Sequence, residues 1–134
     1  MSRHSHHWTM ADYYALLARR HHAADAVMDG TVLDLPEKTM LERLRQLARQ
    51  AGLLCYHTWR SKRSAEGFPD LLIVETRTVP PTLYCLELKT ATGAVTPAQE
   101  AWLAALAQVP GVEARLVRPQ DLAEVEGWLR GEGA

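Results

Sequence analysis

Cysteine is scarce in this sequence, which has two among 134 residues. Cys55 and Cys85 lack the spacing of a zinc knuckle, and each falls in a segment that predicts a β-strand. A cysteine in such a place acts as a small hydrophobic residue, which suits a reducing cytosol. A disulfide framework and a cysteine-based zinc site are therefore not expected.

Long hydrophobic runs are also absent. No apolar run approaches the length of a membrane span, and the N-terminus is polar and bears histidines instead of a signal-peptide core. Glycine-rich nucleotide loops, nucleophile elbows and internal repeats are missing as well. We expect a soluble cytoplasmic protein of a bacterial or phage-infected cell, with no membrane partner.

An excess of charge is the third absence. The 15 Lys and Arg residues and the 16 Asp and Glu residues leave a formal net charge of −1. Without a basic field over the whole molecule, any contact with a polyanion must be local. The most basic cluster is the predicted loop with Arg60, Lys62 and Arg63, which is either a solvated loop or a set of contacts to DNA backbone phosphates.

Two short apolar runs carry charged residues where buried strands should carry none. The first spans residues 67–74 and has Asp70 directly after a proline, and the second spans residues 83–90. Because side chains alternate along a strand, Glu87 and Lys89 project to the same face. Two carboxylates and an ammonium at one end of a sheet suit a hard divalent ion that assists phosphodiester hydrolysis. A solvated strand end with an ordinary Glu–Lys pair is the alternative.

The order and spacing of these residues resemble a known nuclease family. The likeness is carried by residues 67–71 (GFPDL), residues 87–90 (ELKT) with Gly93, and residues 96–99 (TPAQ) with Trp102. They resemble the virus-type replication-repair nuclease (VRR-NUC) family of the PD-(D/E)xK, restriction-endonuclease-like superfamily, over roughly residues 36–130. The resemblance implies an αβββαβ core and a DNA endonuclease that uses Mg²⁺ or Mn²⁺.

The resemblance also implies roles for individual residues. Asp70 and Glu87 would hold the metal, together with the Leu88 carbonyl. Glu37 would complete the site directly or through water, and Lys89 would stabilise the attacking hydroxide or the transition state. Stand-alone members of the family resemble structure-specific nucleases that act as homodimers on branched DNA such as Holliday junctions, so the same is expected of this chain.

Helical periodicity singles out Glu37 near the start of a helix predicted to begin at Pro36 and to stop at Gly52. The apolar stripe of this helix consists of Met40, Leu41, Leu44, Leu47, Ala48 and Ala51. Glu37 falls near the middle of that stripe, whereas Glu42 points toward water. A first-turn glutamate either favours the positive end of the helix dipole or leans into the metal site. The first acidic residue of the family's site matches Glu37 better than Glu42.

Gln99 lies near the centre of the apolar face of a helix that Thr96 caps and Pro97 opens. A buried glutamine needs hydrogen-bond partners. Gln99 is either a structural amide that ties the helix to a strand or, as the resemblance implies, a residue of the active site. In the second case its amide would hold an attacking water, a phosphate oxygen or Glu37. Arg118, at the end of the last predicted strand, contacts either DNA or an acidic neighbour.

The N-terminal residues 1–34 are expected to lie outside the resemblance. Residues 1–8 indicate a flexible arm, and a helix is predicted over about residues 9–28. The narrow apolar seam of this helix lies on the domain's own core or pairs with its copy in a second subunit. The predicted nuclease domain spans residues 35–130, and residues 131–134 are expected to fray.

The predicted elements follow the order helix, helix, three strands, helix, strand, helix, with Asp121 capping the last helix. This order indicates an α/β domain with one mixed sheet, similar to a restriction-endonuclease-like core with an added N-terminal helix. We therefore expect a metal-dependent endonuclease for branched DNA. A broad-specificity DNA or RNA nuclease, for example in phage defence, and a catalytically silent nucleic-acid-binding module are the alternatives.

Overall fold

The computed structural model describes residues 34–58 and 65–132. The elements are α1 (Glu37–Gln50), β1 (Leu54–His57), β2 (Leu71–Glu75), β3 (Thr82–Leu88), α2 (Pro97–Ala107), β4 (Val112–Val117) and α3 (Leu122–Leu129), the last preceded by a 3₁₀ turn at Pro119–Asp121. From α1 onward this order is the predicted one. No helix in these two stretches is both long and apolar enough to cross a membrane.

Three predicted features lie wholly or partly outside the described residues. They are the N-terminal arm and helix within residues 1–33, the basic loop that contains Arg60, Lys62 and Arg63, and the last two residues of the tail 131–134. The domain boundary near residue 34 and the phosphate contacts of the loop therefore stay predictions.

The strands in the described part of the chain form one mixed sheet in the order β1-β2-β3-β4. β1, β2 and β3 are antiparallel neighbours, and β4 is parallel to β3. A parallel pair needs a crossover connection, and α2 provides it. The protein therefore has the α/β class and the restriction-endonuclease-like αβββαβ core that the sequence predicts.

The pairing of β2 with β3 sets two acidic positions side by side. Leu71 pairs with Leu86, so the next position outward is occupied by Asp70 on one strand and by Glu87 on the other. Residues opposite each other in an antiparallel pair point to the same face. Lys89 follows on that face, because side chains repeat their direction every two residues.

The core lies mainly between one face of the sheet and the helices α1 and α3. Leu71 and Ile73 of β2 and Leu86 of β3 point to this face and are fully buried. The helices contribute Met40, Leu44, Leu47, Ala48, Leu122, Val125 and Leu129. The opposite face is packed by α2 over β4 and β3, whereas Leu54 and Tyr56 of the edge strand β1 are exposed there.

Of the three predicted helix starts in the described part of the chain, the structure confirms one and differs from the other two. Thr96 caps α2 as predicted, because its Oγ1 accepts the N–H of Gln99. Pro36 precedes α1 and does not open it, since its ψ of 142° is extended. Asp121 does not cap α3: its carboxylate accepts the N–H of Arg118 and so closes the 3₁₀ turn before that helix.

A buried ion pair joins α1 to α3. Arg43 Nε and Glu126 Oε1 are 2.9 Å apart, and both side chains are buried. Burial raises the pKa of the Glu126 carboxyl, and the adjacent Arg43 guanidinium opposes that rise. Arg130 Nη2 lies 4.0 Å from Glu126 Oε2 and is a second, more distant cation for this carboxylate. Removing Arg43 alone would therefore leave a buried charge that is only partly compensated.

We expect Arg43→Met to lower the free energy of unfolding by at most about 3–5 kcal/mol, because it removes the nearer of the two cations beside the buried Glu126 carboxylate and leaves Arg130, whose Nη2 is 4.0 Å from Glu126 Oε2. The double variant Arg43→Met/Glu126→Leu is expected to recover most of this loss, since an apolar pair needs no compensating charge. Urea unfolding of the three proteins at neutral pH measures both effects. A double variant no more stable than Arg43→Met would contradict this account.

Candidate active site

Asp70 is held in place through both its side chain and its backbone. Its Oδ2 accepts the N–H of Leu88 at 2.8 Å, and its carbonyl accepts the N–H of Thr58 at 2.8 Å. The Thr58 hydroxyl donates in turn to the Pro69 carbonyl at 2.8 Å. These bonds fix the Asp70 carboxylate against the end of β3, although the residue precedes the regular part of β2.

Glu87 is the most buried acid of this site, with 2% of its surface exposed. Gln99 Nε2 donates to Glu87 Oε1 at 2.9 Å, whereas the buried Oε2 has no hydrogen-bond partner among the described residues. Burial is the main cause that raises the pKa of Glu87 to about 8, and the neighbouring Asp70 carboxylate raises it further. Lys89 lowers this pKa and Glu37 raises it, so the four charged groups act on one another.

Lys89 is buried beside these acids, just beyond β3. Its backbone N–H donates to the Val117 carbonyl at 3.0 Å, which continues the pairing of β3 with β4. A Cβ at Gly93 would lie 2.9 Å from Thr90 Oγ1 and 3.5 Å from Lys89 Cδ. Gly93 therefore allows the loop after β3 to pack closely on the Thr90 side chain, whereas the distance to Lys89 is an ordinary van der Waals contact.

Glu37 occupies the first turn of α1 and is half-buried. It lines a cavity of about 640 Å³ together with Asp70 and Leu88. Within residues 34–58 and 65–132, no group of three or more His, Cys, Asp and Glu side chains is arranged to hold one ion. Glu37 therefore shares a cavity with Asp70 but does not form a ready three-acid cluster with Asp70 and Glu87.

Gln99 contacts Glu87, a partner that the sequence did not indicate. Its Oε1 accepts the N–H of Thr96 at 2.9 Å in the capping box of α2, which leaves its NH₂ group to donate to Glu87. The bond ties a helix to a strand, as the structural alternative required. Because the strand residue is itself an acid of the site, the helix cap also orients that acid.

The donor set suits a hard divalent cation. Carboxylates of Asp70 and Glu87 and the carbonyl of Leu88 are oxygen ligands of the kind that Mg²⁺ and Mn²⁺ take. Glu87 Oε2 is a buried acceptor without a hydrogen-bond partner in the described stretches. Such an atom costs free energy unless it is paired or coordinates a metal. The residues present therefore fit a metal ion, whose other ligands would be water and substrate oxygens.

A family model described as the VRR-NUC domain matches residues 11–120. The chain belongs to the VRR-NUC family. The VRR-NUC domain indicates a nuclease of the PD-(D/E)xK type, which agrees with the carboxylate pair and the lysine at the end of the sheet. Neither a curated protein nor a solved structure matches the chain.

The VRR-NUC match differs in extent from the expected one. It begins at residue 11, upstream of the expected start at residue 36, and ends at residue 120, before α3. The expectation that the resemblance does not reach the predicted N-terminal helix is therefore wrong.

Other residues of the VRR-NUC resemblance pack the loop before Asp70 onto α2. Gly67 has a φ of +86°, and a Cβ there would lie 2.5 Å from the carbonyl carbon of Ala98, so only glycine fits. Phe68 meets Trp102 edge-on, with ring centroids 5.1 Å apart. These contacts set the path of the chain into Asp70.

Arg118 holds the loop that follows β3, a role that the sequence did not indicate. Its Nη1 donates to the carbonyls of Thr90 at 2.7 Å, Gly93 at 2.9 Å and Ala91 at 3.4 Å. From another element, Asp34 Oδ1 accepts the N–H of Ala91 at 2.9 Å. The bonds of this guanidinium thus go to backbone carbonyls, and neither DNA nor an acidic neighbour is needed to explain it.

Glu87→Gln is expected to stabilise the metal-free protein, increasingly so at higher pH. The pKa of Glu87 is about 8 in the folded state and near 4.5 when unfolded, so folding binds a proton between these values. The contribution of Glu87 to the free energy of unfolding therefore falls as the pH rises from about 4.5 to about 8 and falls no further above that, whereas a neutral glutamine makes no such pH-dependent contribution. We expect an advantage of a few kcal/mol for the variant above pH 8.

Thermal unfolding with a chelator across this pH range measures the difference. The matched control is Glu100→Gln, which replaces an exposed carboxylate on α2 and should behave like the native protein at every pH. A Glu87→Gln melting temperature that runs parallel to the native one over the whole range would contradict the raised pKa.

Arg118→Met is expected to loosen the loop after β3, because three carbonyl oxygens lose their shared donor. Hydrogen exchange at the Ala91 and Gly93 amides should accelerate by about tenfold or more, while exchange in β2 stays within about twofold of the native rate. Arg115→Met is the control. Arg115 lies on β4, three residues before Arg118, but its guanidinium donates to the Glu124 carboxylate and not to the loop. Unchanged loop exchange in Arg118→Met would show that other contacts hold this loop.

Proposed function

We propose that the protein is a divalent-metal-dependent endonuclease that hydrolyses phosphodiester bonds of DNA, with branched DNA such as a Holliday junction as its substrate. One observation carries this proposal. The buried Glu87 carboxylate lies against the Asp70 carboxylate and near Lys89, and its Oε2 receives no hydrogen bond from the described residues. The Glu126 carboxylate also has a buried oxygen without a hydrogen bond, but its charged neighbours are the Arg43 and Arg130 guanidinium groups. Glu87 instead has a second carboxylate beside it, and a pair of carboxylates is what a hard divalent cation binds.

Asp70 and Glu87 would hold Mg²⁺ or Mn²⁺ together with the Leu88 carbonyl. Glu37 would act from the same cavity through a water molecule, because it does not join a direct three-acid cluster. When bound, the ion supplies a lowered pKa for a water molecule and positive charge for the phosphate under attack.

Lys89 and Gln99 would perform the remaining tasks. The Lys89 ammonium is a point charge that orients the attacking oxygen and stabilises the charge that develops on the phosphate. Gln99 would act as a positioning residue, since its NH₂ group donates to the Glu87 carboxylate and its Oε1 accepts the N–H of Thr96. The predicted basic loop with Arg60, Lys62 and Arg63 would hold flanking backbone phosphates without reading base sequence.

Branched DNA and a homodimer form the finer part of the proposal. Support comes from the resemblance to stand-alone nucleases of the family and from the apolar seam predicted within residues 9–28. A four-way junction is cut symmetrically on two strands, and a two-fold dimer presents two equivalent sites for this purpose. We place the protein in the cytoplasm, where its substrate would be found.

Cleavage of a panel of labelled nucleic acids tests the proposal. The panel holds a four-way junction, nicked, linear and single-stranded DNA of equal length, and RNA, each with Mg²⁺, with Mn²⁺ and with a chelator. We expect metal-dependent cleavage that is fastest on the junction. Asp70→Asn and Lys89→Met should lower the rate by about a hundredfold or more, because each removes charge stabilisation from the transition state.

Glu100→Gln serves again as the control, and its rate should equal the native one. If the junction is cut no faster than linear duplex, the protein is a nuclease of broad specificity and not one specific for junctions. Intact nucleic acid in every tube of the native protein would favour a silent binding module. Equal rates for the native protein and Asp70→Asn would contradict the assignment of this site as the active site.

A further inference from the structure

The cavity that Glu37 and Asp70 share extends along α1, away from the carboxylate pair. Besides these two residues and Leu88, the described residues that line it are Lys38, Leu41, Glu42, Arg45, His57 and Thr58. The α1 members recur at spacings of three and four residues, so they form one face of that helix. His57 and Thr58 come from the end of β1, on the side from which Asp70 is fixed.

The cavity is larger than a metal ion and its water shell require. Six waters at about 30 Å³ each occupy roughly 180 Å³. This is less than a third of the cavity volume of about 640 Å³. Pockets that bind whole small molecules have volumes of about 300–1,000 Å³. Space therefore remains for a group of nucleoside size beside the phosphodiester bond.

The lining has separate groups for the two ends of a nucleotide. Lys38 and Arg45 are cations, and Arg45 Nε is buried with no hydrogen-bond partner among the described residues. Such donors bind phosphate oxygens. Leu41 offers an apolar surface, the Glu42 carboxylate is able to accept hydrogen bonds from base N–H groups, and His57 carries a ring on which a base can stack.

We propose that this cavity receives one unstacked nucleotide adjacent to the phosphodiester bond that is cut, so that the enzyme selects DNA with an unpaired nucleotide at that position. The inference rests on the proposed nuclease function and narrows its substrate class. Extruding a paired nucleotide costs a few kcal/mol, whereas a nucleotide at a bulge or branch point has already lost its partner. The cavity would thus convert local DNA structure into a difference in rate.

Filling the cavity tests the inference. Leu41→Trp places a large side chain in it, and Val109→Trp is the matched control on an exposed residue after α2. The substrates are duplexes of equal length with one bulged nucleotide, with an abasic bulge at the same position, or with neither. We expect the native protein to cut the bulged duplex at least about tenfold faster than the perfect one.

The variant should act on the base and not on the backbone. Leu41→Trp is expected to cut the bulged duplex about tenfold more slowly than the native protein, but the abasic duplex within about twofold of the native rate. Val109→Trp should match the native protein on both. Equal slowing on the two bulged substrates, or slowing on neither, would overturn the inference. Circular dichroism checks that each variant folds. If Leu41→Trp does not fold, Leu41→Phe takes its place, because it adds a smaller group to the cavity and is expected to show the same selectivity.

Binding separates this inference from the proposed function. Fluorescence anisotropy with Ca²⁺, which takes oxygen ligands, measures the affinity for each duplex without requiring cleavage. Tighter binding of the bulged than of the abasic duplex, lost in Leu41→Trp, would support the cavity even if no DNA is cut with Mg²⁺ or Mn²⁺, and the proposed function alone would then fail. Equal native affinity for the two would overturn the cavity inference and leave DNA cleavage to decide the function.

Discussion

The pairing of β2 with β3 brings two carboxylates together at one end of the sheet. The other residues of the site lie where they reduce the electrostatic repulsion between these two groups. Glu87 is almost fully buried, and Asp70 is bonded to the backbone next to it. Two acids this close cannot both ionise cheaply without a cation. The Gln99 amide and the Lys89 charge offset part of the cost, but one Glu87 oxygen has no hydrogen-bond partner in the described residues. This end of the sheet therefore requires that one charge be neutralised, either by a proton on Glu87 or by the cation proposed above.

At the other end of the same sheet, a buried acid has both of its oxygens paired with a cation. Glu75 ends β2 and is also buried, but Arg77 Nε and Nη2 donate to its two oxygens at 2.8 and 2.6 Å. The hydrogen bond from Arg77 lowers the pKa of Glu75, whereas burial and Asp70 raise the pKa of Glu87. Arg77 also donates to the Leu129 carbonyl and so joins this strand end to the end of α3. One strand pair thus has a satisfied acid where the fold needs stability and an unsatisfied acid where function is proposed.

The parts of the candidate site are supplied by the ends of elements and held by side chains from elsewhere. The loop before Asp70 lies on α2 through Gly67, and the loop after β3 is bonded to Arg118 from beyond β4. Because loops expose backbone carbonyls that need donors, a single guanidinium can order several residues at once. The α1–α3 ion pair performs the equivalent task for the helices that cover the core. Rigid supports of this kind allow a site made of short loops to keep its geometry.

By itself the sequence determined the order of the elements, the mixed sheet, the Thr96 cap and the common face of Glu87 and Lys89. These features follow from local spacing, because helical and strand periodicities act over a few residues. Only the tertiary structure decided that Gln99 bonds Glu87, that Arg118 holds the loop after β3, and that Glu37 shares a cavity with Asp70. The small-residue run after Lys89 was the one signal that could have pointed to Arg118, since its carbonyls need donors. Each of these contacts joins residues 12 or more positions apart. A polar side chain has no periodicity that names its partner, so the partner is known only when the packed elements bring specific atoms within hydrogen-bond distance.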